Sequence, residues 1–513
     1  MSQVRDLGVT FRAPAVPRFH GMWRSRRALA GTVALTTLAA VGLAVPSSAV
    51  QPPGKPGAIG VGDKVWPELG NGGYDVLDQR LDLRFQKGLA AYTATTTLTG
   101  RATQYLSSFN LDLLGPTVTG VRVNGVPATW KSTPQGELVI TPARAVRKHL
   151  RFVVRVDVRN KLPEASEKDP FPPGLQRYNG WIQTVNQPSG ARRILAVSDH
   201  PAQKAPATFS VTAPSQLNSI ANGKLISVRK SGDATTRVFR ESRKIATELM
   251  QFGVGPFTVL HRTGPHGLPL RYAVPTAQLK EIEPQLISFD QSVRFLEKRL
   301  GRFPGAEAGS YVSALGGELE TQGLTLMSAD AMTKEGFENN GTAGVVLHEV
   351  SHEWFGNSVS PRRWADVWLN EGHAVFYTNV WSATQHGWSV AKSMRNSYEE
   401  YGNKLLVNGP IAKPDPSTWK GESATLRPYA SAAYEGGALT LYALQQTVGA
   451  KTFEAIERAW VRRYANSTAG TEDFIALASK IAHQDLGPLL RSWLYGKTLP
   501  AMPGHPDWKA GPA

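Results

Sequence analysis

The sequence His348-Glu349-Val350-Ser351-His352 lies within an apolar segment running from Val345 to Phe355. On a helix, positions four apart are offset by one turn and about 40°, so His348 and His352 can direct two imidazoles at one ion. Glu349, beside the first histidine, can reach a water on that ion without being a ligand itself. Asn370-Glu371-Gly372 follows, with Glu371 19 residues after His352, and Gly356 to Arg363 between them reads as a turn before a second helix starting near Trp364. Two antiparallel helices joined in this way bring Glu371 beside the histidines, giving three protein ligands and an open fourth position. In a chain with 11 histidines the five-residue pattern arises by chance in roughly one chain in a hundred, and requiring the glutamate lowers that about twentyfold. The mixed nitrogen and oxygen donor set argues for one zinc ion.

The composition narrows the chemistry further. The 513 residues contain no cysteine, which removes disulfides, thiolate metal sites and a cysteine nucleophile. A metal must therefore be held by histidine and carboxylate. With 41% hydrophobic and 19% charged residues the chain is globular, and its length calls for more than one domain. The net charge of +16 falls to +11 without residues 1–49, which hold six Arg and one Asp, and the remaining basic residues form no long run. Nucleic acid is not an expected partner.

The N-terminus has the three parts of a secretory signal peptide. Arg24-Ser25-Arg26-Arg27 precede an uncharged run from Ala28 to Val45, and small residues end at Ala49. Residues 1–49 are expected to be removed, leaving a secreted, extracellular protein with no membrane span and, as expected here, a monomer. Residues 50–73, opening on the Pro/Gly-rich QPPGKPGAIGVG, read as a linker. Period-two alternation then marks strands, as in Leu81, Leu83 and Phe85, or Phe152, Val154, Val156 and Val158, with Asn124-Gly125 as a hairpin turn. After about Leu260 the period becomes helical, with helices closing at Gly301 and Gly449 and some strand between Ser310 and Met327. The expected division is an N-terminal β domain over 74–255 and a second, mainly helical domain over 256–513.

The run from His348 to Phe376 resembles the aminopeptidase N family of zinc metallopeptidases, which includes leukotriene hydrolase. Gly316 to Gln322 resembles that family's Gly-x-Met-Glu-Asn motif, with Leu319 for Met and Thr321 for Asn. The resemblance assigns Glu320 to the substrate's free α-amine and carries Gly317 over as a substrate-binding position. Asn186 to Arg193 resembles the segment by which the family's β domain enters the site, so Gln187 would help hold the substrate N-terminus. Pro428 to Gly437 resembles the segment with the catalytic tyrosine, matched by Tyr434, with Tyr429 five residues earlier as in part of the family.

The chain departs from the family pattern at two places. Gly436 stands where a basic residue is expected, and Thr378 where a second carboxylate commonly follows the third ligand, which leaves the outer shell of the metal site open. Arg491 to Pro500 resembles the end of the family's catalytic domain. The implied fold is multidomain α+β: a saddle-like antiparallel sheet domain, then a thermolysin-like catalytic domain, without the C-terminal helical domain of larger relatives. The implied activity is aminopeptidase hydrolysis of peptides with a free N-terminus, Glu349 as general base and Tyr434 on the oxyanion. A zinc endopeptidase and a non-catalytic peptide-binding member are the alternatives, with epoxide hydrolysis a minor third.

Overall fold

In the computed structural model the described residues are 54–164, 173–339, 341–387, 389–418 and 431–512. The expected signal peptide at 1–49 lies outside them, as does Tyr429. An eight-stranded sheet dominates the first half. From one edge its strands are Lys224–Ser231, Ala234–Ile245, Ala205–Pro214, Tyr74–Phe85, Ala91–Ala102, Arg151–Lys161, Thr117–Val123 and Val126–Pro127. Every pairing is antiparallel except Ala205–Pro214 with Tyr74–Phe85. Alternation does what the period predicts: Phe152, Val154, Val156 and Val158 are buried and the residues between them face outward. Asn124 and Gly125 have φ of +51° and +81°, the two left-handed positions that a tight turn between twisted strands requires.

Residues 54–73 correct the linker reading. Lys55–Pro56 pairs with Leu106–Asp112, and Leu69 and Asn71 are fully buried. Asp63 Oδ2 accepts the Trp364 N–H at 2.7 Å and lies 3.1 Å from His200 Nε2. The glycines and prolines gave this stretch the composition of a linker, but Asp63 reaches partners in distant segments as well as the neighbouring Val65 N–H at 2.7 Å.

The second half opens on a four-stranded sheet in the order Phe257–Thr263, Pro269–Pro275, Ala308–Ser313, Thr325–Ser328. Its second and third strands are parallel, and the helix Ile287–Leu300 forms part of the crossover between them. That helix ends at Gly301, φ +97°, and Gly437–Val448 ends at Gly449, φ +78°. One apolar core is built from residues between Tyr74 and Val254, another from residues between Leu270 and Trp508. A smaller cluster, including Trp181, Ile220, Phe257 and Tyr311, draws on strands from both sides. Among the described residues no helix is long and apolar enough to cross a membrane.

Candidate metal centre

The histidine helix Thr342–Ser351 is apolar on nearly every face because it is enclosed: Val346, Leu347 and Val350 are all core residues. His348 lies in its last turn and His352 caps it. After the turn at Gly356, φ +120°, the chain enters a second helix, Trp368–His386, which packs on the first and carries Glu371 in its opening turn. Both imidazole Nε2 atoms lie 3.4 Å from Glu371 Oε2. That separation is long for a charged hydrogen bond but matches the edge of a tetrahedron with bonds of about 2.0 Å, about 3.3 Å. Oε2 is buried and accepts no hydrogen bond. The three donors thus fit a metal ion.

His352 is oriented from behind. Its Nδ1 is 3.1 Å from the Phe355 carbonyl, which can only accept, so Nδ1 carries the hydrogen and Nε2 faces the cluster. The electrostatics also call for a cation. Burial works against charge on His352, but Glu371 and Glu320 outweigh it and hold the imidazole's pKa up at about 10. Burial likewise works against Glu371, and the charge of His352 with the close approach of His348 brings it down to about 2. A proton or a metal ion must balance these carboxylates.

Glu349 and Glu320 complete the cluster, each placing an oxygen within 4.8 Å of a His352 nitrogen. Burial, then the charge of Glu320, pushes Glu349 well above the usual carboxylate range, and its Oε2 has no hydrogen-bond partner. Glu320 is 5% exposed, whereas Glu318 on the same strip faces solvent. Of the two, only Glu320 is enclosed with the cluster. Burial raises Glu320 too, and Gln187 Nε2 donates to its Oε1.

Tyr434 arrives on the turn Ala432–Gly436, with its ring parallel to that of His348 at 6.0 Å and 4°. Burial, then the charges of Glu371, Glu320 and Glu349, pushes its hydroxyl well above the ordinary phenol value, so it stays a donor. The approach depends on glycine: a Cβ on Gly372 would come within 2.7 Å of the Gly437 main chain. At Gly436, where a basic residue was expected, a Cβ would meet Ile411 at 2.9 Å.

The structure therefore brings His348, His352, Glu371, Glu349, Glu320, Gln187 and Tyr434 together. Gly317 is three residues before Glu320 and enters none of these contacts; its φ of +89° explains the glycine. Thr378 turns its hydroxyl back to the Ala374 carbonyl at 2.8 Å. The outer support comes instead from residues the sequence reading missed. His373 stacks on Phe355 at 4.0 Å, with Nδ1 2.7 Å from the Leu369 carbonyl and Nε2 3.3 Å from Glu457, both partners fully buried. A histidine two residues past a ligand was the available signal, but its partner lies 84 positions away.

The peptidase family M1 domain model matches residues 314–493, the segment that holds every one of these groups except Gln187. The chain carries a peptidase family M1 domain. The M1 relatives are distant in sequence. A leucyl aminopeptidase of Saccharolobus solfataricus is 24% identical over 340 residues, 63% of this chain and 41% of that protein. Aminopeptidase M1-D of Oryza sativa subsp. japonica is 23% identical over 325 residues, 59% of this chain and 36% of that protein. The chain thus spans well under two thirds of the length of these relatives. Solved structures align more fully. An M1 zinc metallopeptidase from Deinococcus radiodurans superposes with a TM-score of 0.74 at 27% identity, covering 86% of this chain and 99% of that one. A mutant of a two-domain M1 zinc metallopeptidase bound to L-arginine gives 0.73 at 26%, with the same coverage. The M1 fold therefore accounts for both the β-rich and the helical halves.

Proposed function

We propose that the protein is a zinc aminopeptidase that removes N-terminal residues from peptides. The observation that carries this reading is the buried Glu320 carboxylate beside the His348, His352 and Glu371 donors. A site for hydrolysis alone has no need of a further buried negative charge, whereas a free α-ammonium supplies its counter-charge. The relatives named as aminopeptidases support it, as does an M1 structure solved with a Tyr-Ser-Ala substrate.

His348, His352 and Glu371 hold the ion, which when bound supplies a Lewis acid for the scissile carbonyl and for a water. Glu320, with Gln187 donating to it, binds the ammonium and so limits reaction to the first peptide bond. Glu349 accepts a proton from the attacking water at its free Oε2 and delivers it to the departing amine. Tyr434 donates its O–H to the carbonyl oxygen as charge builds there, a contact that matters only near the transition state.

The test is a panel of aminoacyl reporters and their N-acetylated forms, with and without chelator, alongside metal analysis. Cleavage confined to free-amine reporters and lost on chelation is expected. Equal cleavage of acetylated reporters would make the protein an endopeptidase, and a chain that binds no metal would make it a non-catalytic binding member. We also propose export, supported by the basic, apolar and small-residue order of residues 24–49. N-terminal sequencing of the extracellular protein tests it.

A further inference from the structure

The carboxylate that selects a free amine is useful only at a fixed distance from the hydrolytic groups, because one residue along an extended substrate advances the chain by about 3.5 Å. That distance has its own support. Asn357, five residues past His352 and 1% exposed, donates its backbone N–H to the His352 carbonyl at 2.9 Å. Its side-chain Nδ2 donates to the Glu320 carbonyl at 2.7 Å. One residue therefore joins the backbone of a metal-ligating histidine to the backbone of the amine-binding glutamate.

Three further groups hold this bridge and the strip it reaches. Lys204, at the start of the strand Ala205–Pro214 and 6% exposed, donates from Nζ to the Asn357 carbonyl at 2.7 Å and the Ser358 carbonyl at 3.2 Å. Glu353 Oε1 accepts the Gly323 N–H at 2.7 Å, fastening the same strip three residues beyond Glu320. From the other side, Asn222 Nδ2 donates to the Gln322 carbonyl at 2.8 Å. The strip from Glu320 to Gly323 is thus tied to the end of the histidine helix at both ends, and a lysine from the β-rich half holds that tie.

We propose that Asn357, braced by Lys204, is the positioning residue that sets the spacing between Glu320 and the histidine pair, and with it the requirement for a free α-amine. This rests on the aminopeptidase reading. None of these groups touches substrate; they act through the backbone of Glu320. A displacement of about 1 Å at such a site costs up to about 10²-fold.

The test measures discrimination, the ratio of Kd values for an N-acetylated aminoacyl amide and its free-amine form, on the metal-loaded full chain, together with metal per chain. Asn357→Asp keeps the shape but turns an oxygen towards the Glu320 carbonyl. Lys204→Met removes the donors, and Lys204→Arg retains them. Discrimination is expected to fall at least about tenfold in the first two, with metal content unchanged, and to be largely kept in the third. Wild-type discrimination in Asn357→Asp, or metal lost in step with discrimination, overturns the proposal. Should Asn357→Asp fail to fold, equal discrimination in Lys204→Met and Lys204→Arg overturns it. A wild-type protein that does not discriminate at all refutes the aminopeptidase reading itself, which is a separate result.

Discussion

Gln187 Nε2 donates to Glu320 Oε1 across 133 residues of sequence, from the β-rich half to the strip that precedes the histidine helix. The pair makes the proposed amine subsite a joint product of both halves. Glu320→Ala should cut kcat/KM for a free aminoacyl reporter by about 10- to 150-fold, the worth of a charged hydrogen bond. Gln187→Ala, which removes a donor but no charge, should cost roughly tenfold or less. Steady-state kinetics on free and acetylated reporters checks both, and an equal loss on each reporter would count against the subsite.

Glu349 is buried, adjacent to His348 of the proposed metal set and free at Oε2. Glu349→Gln preserves its shape and removes the base, so kcat should fall by about 10²- to 10⁴-fold while metal per chain stays at the wild-type level. Activity within a few fold of wild type would remove Glu349 from the mechanism.

Tyr434→Phe keeps the ring that lies parallel to His348 and deletes the hydroxyl. Its expected signature is a kcat loss of about 10²- to 10³-fold with KM nearly unchanged, because the contact forms as charge builds on the carbonyl oxygen. A rise in KM alone would instead mark a ground-state contact.

Metal removal should show itself in proton uptake and in stability. His352 is raised in the metal-free fold, to about 10, because Glu371 and Glu320 outweigh its burial. A raised imidazole stabilises the fold fully below its unfolded value of about 6.5, and that contribution is lost as pH climbs through the folded value. The metal-free melting temperature should therefore decline between pH 7 and 10 more than that of the loaded protein. Metal binding at pH 8 should release about one proton or more, measurable by calorimetry in buffers of different ionisation enthalpy.

Asp63 supplies an acid-side prediction. Burial alone would raise its carboxyl, but the His200 ring and the Trp364 N–H bring it below the ordinary value. Stability from a depressed carboxyl is present above the unfolded value of about 3.9 and disappears as pH falls through the folded one. Asp63→Asn should melt lower than wild type at pH 7, and the gap should narrow below about pH 4. A constant gap across that range would mean the charge contributes nothing.

Much of this was legible before folding. The alternation at Phe152 to Val158 identified strands because side chains in a strand alternate between faces, and the glycines at 301 and 449 marked helix ends because only glycine readily takes those backbone angles. His348, Glu349 and His352 could be read as a unit because one helical turn relates them. Glu371 needed only a turn and a second helix. Residues 54–73 were misread because composition records turn formers but not the distant partners that bury Asp63, Leu69 and Asn71.

What the sequence determined by itself was local: the period of each element, the helical spacing of the two imidazoles, and the exclusion of thiolate chemistry by the absence of cysteine. The tertiary structure decided that Glu320 is buried while Glu318 is not, that Gln187 reaches it, and that Asn357 and Lys204 stand behind the candidate ligating and binding groups. The difference has one physical cause. Periodicity and caps arise from backbone geometry over a few residues, whereas charge balance and hydrogen bonding inside the site depend on groups from different elements, some more than a hundred positions apart, whose meeting is set by the packing of whole elements.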